Sequence, residues 1–559
     1  MTRSRSEFRS HSAEPPRALE RTGPLTFGQL AQLVEYEEVL VGAPEAAWTR
    51  TLTQRWALPA DTEVSAVRDA LALLARRHEI VRTTFERDDS GDPVQKVWKP
   101  GAERIRTIDP GALASEAGWT ESYLASLRRE PLPVGMEPPI TFDILAEGDT
   151  AKDVLIAFHH IVADYRSMQI LHREFLSALT LLSQGKTDLA VAPPRQPIDE
   201  ALIQAARAGQ EGDGLEPWRE VLDATAPTSY PRWDERRSAG YTATFASESL
   251  QHAVSVLSQR NGLWPAQALL GLYAFVIARY TGLPSTSLCV ISSNRFTYPT
   301  GVHCCALRVP VVLPTGAVAP DELMKTVEAA TRNLHRNADH DARALRRMLD
   351  GRQESTGFNT RLRLEYNFFS RRGGAIRTGM PYGTRSPSTF RHEPTEPADP
   401  TLTYLAARPG RGTEPMVLSL EANEAFLPLP AASALLRALE SLGAELAAAG
   451  DEEKGREEEG TVSWAAHMDL ALNARPAVSG LLAFRSGYVD AHRIVRAVNA
   501  ELGDGCVVDV AVRGRGTPRE RLAVRLSESP GHEATADLLA KLRRRAHRDP
   551  SLVIPTEVM

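Results

Sequence analysis

Two adjacent histidines followed by an aspartate are the residues of this chain best suited, by type and spacing, to acid–base chemistry. They lie in the stretch FHHIVADYRSM as His159, His160 and Asp164. An imidazole titrates near neutral pH, so it can accept or release a proton under working conditions. The stretch therefore marks a candidate site of proton transfer.

The elements around this pair predict that the two rings do different work. Asp153–His160 is apolar on both faces, which indicates a buried strand, and Arg166–Ser183 has the pattern of a helix. Side chains alternate along a strand, so His159 and His160 point to opposite faces. Two interpretations stay open here. Asp164 is the N-cap of the following helix and the histidines are core residues, or the three form a working site.

The composition is that of a soluble globular protein with several domains. The 559 residues are 42% apolar and 24% charged, and the formal charge of −6 gives no reason to expect nucleic acid or an anionic membrane as partner. No apolar run reaches the length of a membrane span, and no secretory signal is present. The four cysteines include no C-x-x-C pair, which disfavours a zinc site and fits a reducing, cytoplasmic location.

Shifts in composition and periodicity divide the chain into six parts. The last part has the order strand, helix, strand, strand, helix, strand, which is typical of a ferredoxin-like fold. The predicted parts are a flexible tail (1–23), a first half (24–183), a crossover linker rich in Gly, Pro and charge (184–214), a second half (215–449), a charged linker (450–460) and a small C-terminal domain (461–559).

Three further element assignments bear on the site and its surroundings. Ile80–Phe85 and Cys304–Leu313 have the pattern of strands, and the Cys304–Cys305 pair is interpreted as part of a buried strand. Pro320–Asp350 is interpreted as one helical region.

Around the histidine motif the chain resembles the condensation domains of nonribosomal peptide synthetases, whose signature is HHxxxDG. Five more stretches resemble segments of that family in the expected order, over about residues 24 to 449. They are PLTFGQLAQL (24–33), RRHEIVRTTFE (76–86), WPAQALLGLYAFVIARYTG (264–282), VISSNRF (290–296) and GVHCCALRVPVVL (301–313), the last without the usual FVN.

The resemblance implies an α/β fold of two chloramphenicol-acetyltransferase-like halves in a V-shaped pseudo-dimer, with the active site in a tunnel between them. It implies that His160 acts as general base or positions the attacking amine and the tetrahedral intermediate. His159 would hold the loop. Asp164 would be structural and pair with Arg295, because an ionised carboxylate buried alone is costly.

The chain departs from the family signature where Tyr165 replaces the motif glycine. A phenol here would occupy part of the tunnel or offer a hydroxyl to a substrate, so Tyr165 is a predicted substrate-binding residue. Because glycine permits backbone geometry that other residues do not, the replacement also raises the question whether the site is catalytically active.

The predicted function is amide-bond formation between a carrier-bound acyl or aminoacyl thioester and an amine, in a natural-product pathway. The alternatives are ester formation or acyl transfer to a small soluble acceptor, and an inactive scaffold that docks carrier proteins. We expect no metal and no cofactor bound by the chain itself. No Gly-Gly-x-Ser carrier motif occurs, so phosphopantetheine arms would come from carrier proteins in trans.

The C-terminal part faintly resembles the small C-terminal subdomain of adenylate-forming enzymes, although the chain stops before the lysine such subdomains use. A docking or dimerisation module is the alternative interpretation.

Overall fold

A computed structural model provides the structure, and its chain divides into two compact units. The first comprises residues 1–214, 293–307 and 339–344, and the second comprises the rest. The structure describes residues 18–42, 44–101, 103–109, 111, 118–186, 193–211, 214–224, 239–295, 298–316, 318–332, 334, 338–356, 362–369, 386–395, 403–410, 414–449, 463–474, 481–484, 487–514, 521–548 and 552–559.

Among its described residues, the first unit has two sheets, in which most strand pairs are antiparallel, and five α-helices. Its strands are β1 (Leu19–Pro24), β2 (Thr51–Glu63), β3 (Thr83–Arg87), β4 (Pro93–Trp98), β5 (Arg104–Ile108), β6 (Ile140–Glu147) and β7 (Thr150–His159). Its helices are α1 (Phe27–Gly42), α2 (Val64–Arg77), α3 (Trp119–Arg128), α4 (Tyr165–Ser183) and α5 (Pro197–Glu211), with short 3-10 helices at Pro44–Arg50 and Glu79–Arg82.

Strand β7 carries the histidine motif at its end and lies inside a sheet of order β2-β7-β6-β5. Both neighbours run antiparallel to it, with Thr51 of β2 opposite His159 and Ile140 of β6 opposite Phe158. A strand with partners on both edges and helices α2 and α3 against it is buried on both faces. The predicted buried strand is therefore confirmed, and its apolar run has a structural reason.

The second unit is built on a seven-stranded sheet of order β10-β9-β11-β13-β14-β8-β12. Its strands are β8 (Gly240–Ser247), β9 (Thr286–Ser292), β10 (Leu307–Leu313), β11 (Leu364–Phe368), β12 (Thr389–Thr395), β13 (Thr403–Arg408) and β14 (Met416–Asn423). Its helices are α6 (Glu216–Ala224), α7 (Glu248–Asn261), α8 (Pro265–Thr281), α9 (Leu323–Thr331), α10 (Ala342–Thr356), α11 (Leu429–Ala448) and α12 (Trp464–Asn473), with a 3-10 turn at Pro320–Glu322.

Helix α8 is the centre of this unit's core. Its residues from Ala268 to Ala278 are buried, and proline at its first position needs no N–H partner. The helix ends at Gly282, which has a φ of 73° and caps it in the left-handed conformation that glycine adopts without strain.

The C-terminal region differs from the predicted ferredoxin-like sheet. It contains β15 (Leu481–Phe484), β16 (Gly487–Asp490), α13 (Ala491–Leu502), β17 (Val507–Arg513), β18 (Arg521–Leu526), α14 (His532–Arg548) and β19 (Glu557–Val558). Strands β15 and β16 pair with each other as a hairpin, and β19 pairs with β18 in parallel. Among the described residues the first predicted strand therefore forms a two-stranded sheet of its own, and β17-β18-β19 form a second sheet.

Two predicted boundaries differ in the structure. The small C-terminal domain was predicted to begin at residue 461, yet Met468 and Ala471 of α12 belong to the hydrophobic core around α8 and α11. The tail predicted to be flexible to residue 23 forms strand β1 from Leu19, paired with β4. The tail before residue 18 and the charged run 450–460 lie outside the described residues.

The predicted crossover at 184–214 contains helix α5, whose first turn carries Asp199 and Glu200 at the favourable end of the helix dipole. The division between units falls after Gly214, and the later segments 293–307 and 339–344 cluster with the first unit. The predicted division into consecutive halves did not assign these two later segments to the first unit.

Three element assignments also need correction. Cys304 and Cys305 are buried but precede strand β10, which begins at Leu307, and the Cys305 N–H donates to the Asp164 side chain rather than to a neighbouring strand. The predicted strand at Ile80–Phe85 begins with a 3-10 turn at Glu79–Arg82. The predicted helical region 320–350 is interrupted between α9 and α10.

No single helix in the described ranges is long and apolar enough to cross a membrane, and α7 with α8 passes that test only as a pair bent by 110°. The described residues contain no group of three or more His, Cys, Asp or Glu side chains able to hold a metal ion.

Candidate active site

The candidate site is built at the turn that joins β7 to α4. The main chain leaves the sheet at His159, and the N–H of Val162 donates to the His159 carbonyl at 2.9 Å, which closes a tight turn. Asp164 then begins α4 as its N-cap, with Oδ1 accepting from the N–H of Ser167 at 2.8 Å. A carboxylate here satisfies one of the free donors of the first helical turn and favours the helix dipole.

His159 is a structural residue of this turn. Its ring is fully buried, packs edge-on against Tyr36 at 4.8 Å between centroids, and accepts at Nδ1 from the N–H of Ile161 at 3.1 Å. Burial lowers the pKa of His159 well below its usual value, and the nearby charge of Arg50 lowers it further. A neutral ring that accepts from the backbone N–H of Ile161 stabilises this turn.

His160 has a different environment from its neighbour. It remains partly exposed, its N–H donates to the Arg50 carbonyl at 2.9 Å, and its Nδ1 lies 3.7 Å from Cys304 Sγ. Burial lowers its pKa, hydrogen bonds with the backbone of His160 and Ala163 raise it, and Arg50 lowers it.

Arg295 and Asp164 form a buried ion pair. Arg295 Nη2 donates to Asp164 Oδ1 at 2.7 Å, and Arg295 Nη1 donates to the Gly301 carbonyl at 2.6 Å. The pKa of Asp164 is lowered: burial opposes this shift, and Arg295 together with the N–H groups of Ser167 and Cys305 outweighs burial. Both predicted residues therefore meet, and Asp164 is at once a helix cap and an ion-pair partner.

Ser167 completes this network and was not predicted from the sequence. Its Oγ donates to the His303 carbonyl at 2.6 Å, and it accepts from Arg295 Nη2 at 2.6 Å and from the His303 N–H at 3.1 Å. The available signal was its position three residues after an N-cap aspartate, where the side chain of a first-turn residue lies beside that cap. A single hydroxyl thus joins α4, Arg295 and the segment around His303.

The segment 303–305 packs two thiols and an imidazole against this network. Cys305 donates its N–H to Asp164 Oδ2 at 3.1 Å, and its Sγ lies 3.3 Å from His303 Nε2. Burial lowers the pKa of His303 to about 3 and raises the pKa of both the Cys304 and Cys305 thiols well above their usual value. At neutral pH all three side chains are uncharged, so Asp164 and Arg295 carry the charge of this cluster.

Tyr165 lies at the first position of α4, and 41% of its surface is exposed. Among the described residues, the non-glycine positions with positive φ are Asp61 and Asn294, so Tyr165 does not have the left-handed conformation that would require glycine. The tyrosine therefore replaces the motif glycine without backbone strain, and its phenol is accessible.

Comparison with known proteins places the site in a family context. A family model described as "Condensation domain" matches residues 52–359, which is more than half of the chain and includes every site residue named above from His159 to Cys305. Phosphinothricin tripeptide synthetase PhsC of Streptomyces viridochromogenes is 29% identical over 270 residues, covering 46% of this chain and 24% of that protein. The match spans less than a quarter of the length of that relative, and smaller shares of the other synthetases.

Solved structures agree on the fold. The condensation domain described for chain release from the enacyloxin polyketide synthase has a TM-score of 0.58 at 16% identity and covers 81% of this chain and 87% of that one. The SgcC5 protein from Streptomyces globisporus has a TM-score of 0.55 at 15% identity, and the match covers 76% of this chain and 98% of the SgcC5 chain. These likenesses, with the mixed helices and sheets described above, confirm the predicted fold class outside the C-terminal region.

Proposed function

Because this chain belongs to the condensation-domain family, we propose that it transfers an acyl or aminoacyl group from a carrier-bound thioester to an amine, forming an amide in natural-product biosynthesis. The observation that carries the proposal is the difference between the two histidines. The His159 ring is buried in the turn, where it accepts from the Ile161 N–H, whereas His160 is partly exposed and has Nδ1 beside the Cys304 thiol.

His160 is the proposed general base. A lowered pKa keeps the ring neutral at pH 7, so its lone pair is available to accept the proton that the attacking amine loses. In the step, the amine nitrogen bonds to the thioester carbonyl carbon and the carbon–sulfur bond breaks. The proton taken up by Nε2 returns to the leaving pantetheine sulfur, so an amide and a free thiol result.

Asp164 and Arg295 are proposed to hold the turn rather than to react. Both are nearly buried and their charges satisfy each other, so neither is free to exchange a proton near pH 7. Tyr165 is proposed to contact substrate, because its exposed phenol begins the helix that follows the histidines.

The proposed partners are acyl or peptidyl carrier proteins, acting in trans, whose phosphopantetheine arm is part of the substrate. A thioester is already activated towards amines, so the proposed reaction calls for no metal and no cofactor resident in the chain. The acceptor is a small amine or a second carrier-bound amine.

Transfer to a hydroxyl acceptor is the second candidate. Its support is that a structural neighbour is described in connection with condensation-domain-mediated chain release, and SgcC5 was solved with an aryl ethanediol. An alcohol loses its proton to the same base, so His160 serves either acceptor. The third candidate, a scaffold that only docks carrier proteins, predicts binding without transfer.

Intact-mass analysis of a loaded carrier protein separates the three candidates. The acyl carrier is incubated with this chain and with matched amine and alcohol acceptors, and the loss of the acyl mass is followed. Loss that requires an amine supports amide formation, and loss with the alcohol alone overturns it in favour of ester formation. Carrier binding without loss to any acceptor supports the scaffold.

A further inference from the structure

Cys304 lies beside the candidate base, and the family resemblance assigns it no role. Its side chain is fully buried and its Sγ is 3.7 Å from His160 Nδ1. Burial raises the pKa of this thiol well above its usual value, and the thiolate is the reactive form of cysteine. Cys304 is therefore a poor nucleophile, and its contact with His160 calls for another explanation.

The backbone on both sides of Cys304 is tied to the ion-pair network. On one side, the His303 N–H and carbonyl both bond to Ser167 Oγ. On the other side, the Cys305 N–H donates to Asp164 Oδ2 at 3.1 Å. Asp164 and Ser167 thus hold the two neighbours of the residue whose thiol meets the His160 ring.

Helix α1 lies against the Cys304 peptide on a third side. A β-carbon added to Gly28 would collide with the carbonyl oxygen of Cys304, so the helix backbone lies directly against this peptide. The peptide cannot shift towards α1, and the bonds to Asp164 and Ser167 oppose a shift along α4. The position of the Cys304 thiol is therefore fixed from three directions.

We propose that Cys304 is a positioning residue through which the Asp164–Arg295 ion pair fixes the orientation of the His160 ring, holding Nδ1 towards the thiol and leaving Nε2 for the acceptor proton. This inference rests on the proposed function of His160. It explains how a buried carboxylate that does not contact the reacting atoms can still govern the base. Alignment matters because a small misplacement of a catalytic group reduces the rate strongly.

Other groups around His160 set the background against which the thiol acts. Arg50 faces it from the 3-10 helix before β2, Asp164 and His159 belong to its own turn, and Cys304 faces it from the segment before β10. A substitution at Cys304 leaves the first three groups in place. A change in the titration of His160 therefore reports the thiol contact.

The test replaces Cys304 by alanine and by serine, with Cys289→Ala as the matched control. Cys289 is a buried cysteine of β9 in the other unit, so its replacement makes the same chemical change away from the site. Two readouts are taken on the full chain. One is the NMR titration of the His160 ring, and the other is the rate of acyl transfer at varied acceptor concentration.

In Cys304→Ser we expect His160 to titrate at higher pH, because a hydroxyl accepts from Nδ1–H more strongly than a thiol and stabilises the imidazolium. In Cys304→Ala we expect kcat to fall about tenfold with the acceptor KM within about twofold, as for a misaligned base. The control keeps the parental values.

An unchanged His160 titration in both variants, with rates within about twofold of the control, overturns the inference. The ring titration is independent of catalysis. If the parent chain transfers no acyl group, the proposed function fails, while the titration still decides whether Cys304 governs the ring. If Cys304→Ala does not fold, the serine variant decides alone.

Discussion

Arg295 Nη2 lies 2.7 Å from Asp164 Oδ1, and both residues are buried, with 8% of the Arg295 surface and 6% of the Asp164 surface exposed. The contact joins the turn of the histidine motif to a segment more than a hundred positions later in the chain. A buried ion pair is costly to break because the remaining partner keeps a charge that water no longer reaches. The pair therefore makes the local fold depend on both residues together.

Removing either partner should destabilise the first unit strongly. We expect Arg295→Met to lower the free energy of unfolding by about 3–5 kcal/mol, because the Asp164 carboxylate stays buried without its cation. Asp164→Asn, which keeps the helix cap, should act in the same direction. Urea unfolding followed by tryptophan fluorescence measures both variants.

The double variant distinguishes an ion pair from two separate losses. Its destabilisation should be clearly smaller than the sum of the single effects, because neither charge is left alone. Arg332→Met is the control, since Arg332 forms an exposed pair with Glu328 and should change stability by less than about 1 kcal/mol. Additive losses in the double variant would contradict the coupling.

Ser167→Ala tests the hydroxyl that joins α4 to the segment around His303. The variant removes one donated and two accepted hydrogen bonds among buried groups, so we expect a loss of about 1–3 kcal/mol. Ser177→Ala on the exposed face of the same helix is the matched control and should change stability by less than about 0.5 kcal/mol. Equal effects of the two substitutions would show that the network contributes nothing specific.

The pH dependence of stability should contain a contribution from His303. Burial lowers its pKa to about 3 in the folded chain, against about 6.5 in an unfolded one, so the unfolded chain binds the proton first. Stability from this residue is complete above about pH 6.5 and falls as the pH drops towards 3.

His303→Leu replaces the titrating imidazole with an apolar side chain of similar size. The variant should lose less stability than the parent between pH 6.5 and 4, as measured by urea unfolding at a series of pH values. Parallel curves for parent and variant would mean that the ring does not titrate differently in the two states.

Tyr165→Ala tests the accessible phenol at the start of α4. Because Tyr165 is exposed and its backbone is unstrained, we expect the free energy of unfolding to change by less than about 1 kcal/mol. If the phenol contacts substrate, the KM for acceptor or carrier rises in steady-state acyl transfer. Tyr165→Phe then distinguishes the contribution of the hydroxyl from that of the aromatic ring. Unchanged kinetics in both variants would remove Tyr165 from the binding site.

The sequence was most informative where local pattern and tertiary burial coincide. The apolar run of β7 and the helix after Asp164 were predicted within a few residues, because each is a continuous element of one period. The role of Asp164 illustrates the limit. Local pattern indicated a helix cap and family resemblance indicated an ion pair, and one carboxylate with two oxygens does both.

What the sequence did not predict depends on long-range contacts. Cys304 and Cys305 have the composition of a strand, yet their backbone bonds to Asp164 and borders Gly28. Ser167 has no pattern of its own, and its importance comes from Arg295 and the His303 backbone. Likewise, segment 293–307 returns to the first unit, which no local periodicity encodes.

The measurement that tests the central claim most directly is single-turnover acyl transfer by His160→Ala, with a loaded carrier protein and an amine acceptor that supports transfer by the parent chain. Loss of a general base should lower the rate by about 100-fold or more, while urea unfolding and carrier binding stay close to the parent. His492→Ala, on an exposed histidine of the C-terminal region, serves as control and should keep the parental rate. A His160→Ala variant that forms amide as fast as the parent would contradict the account.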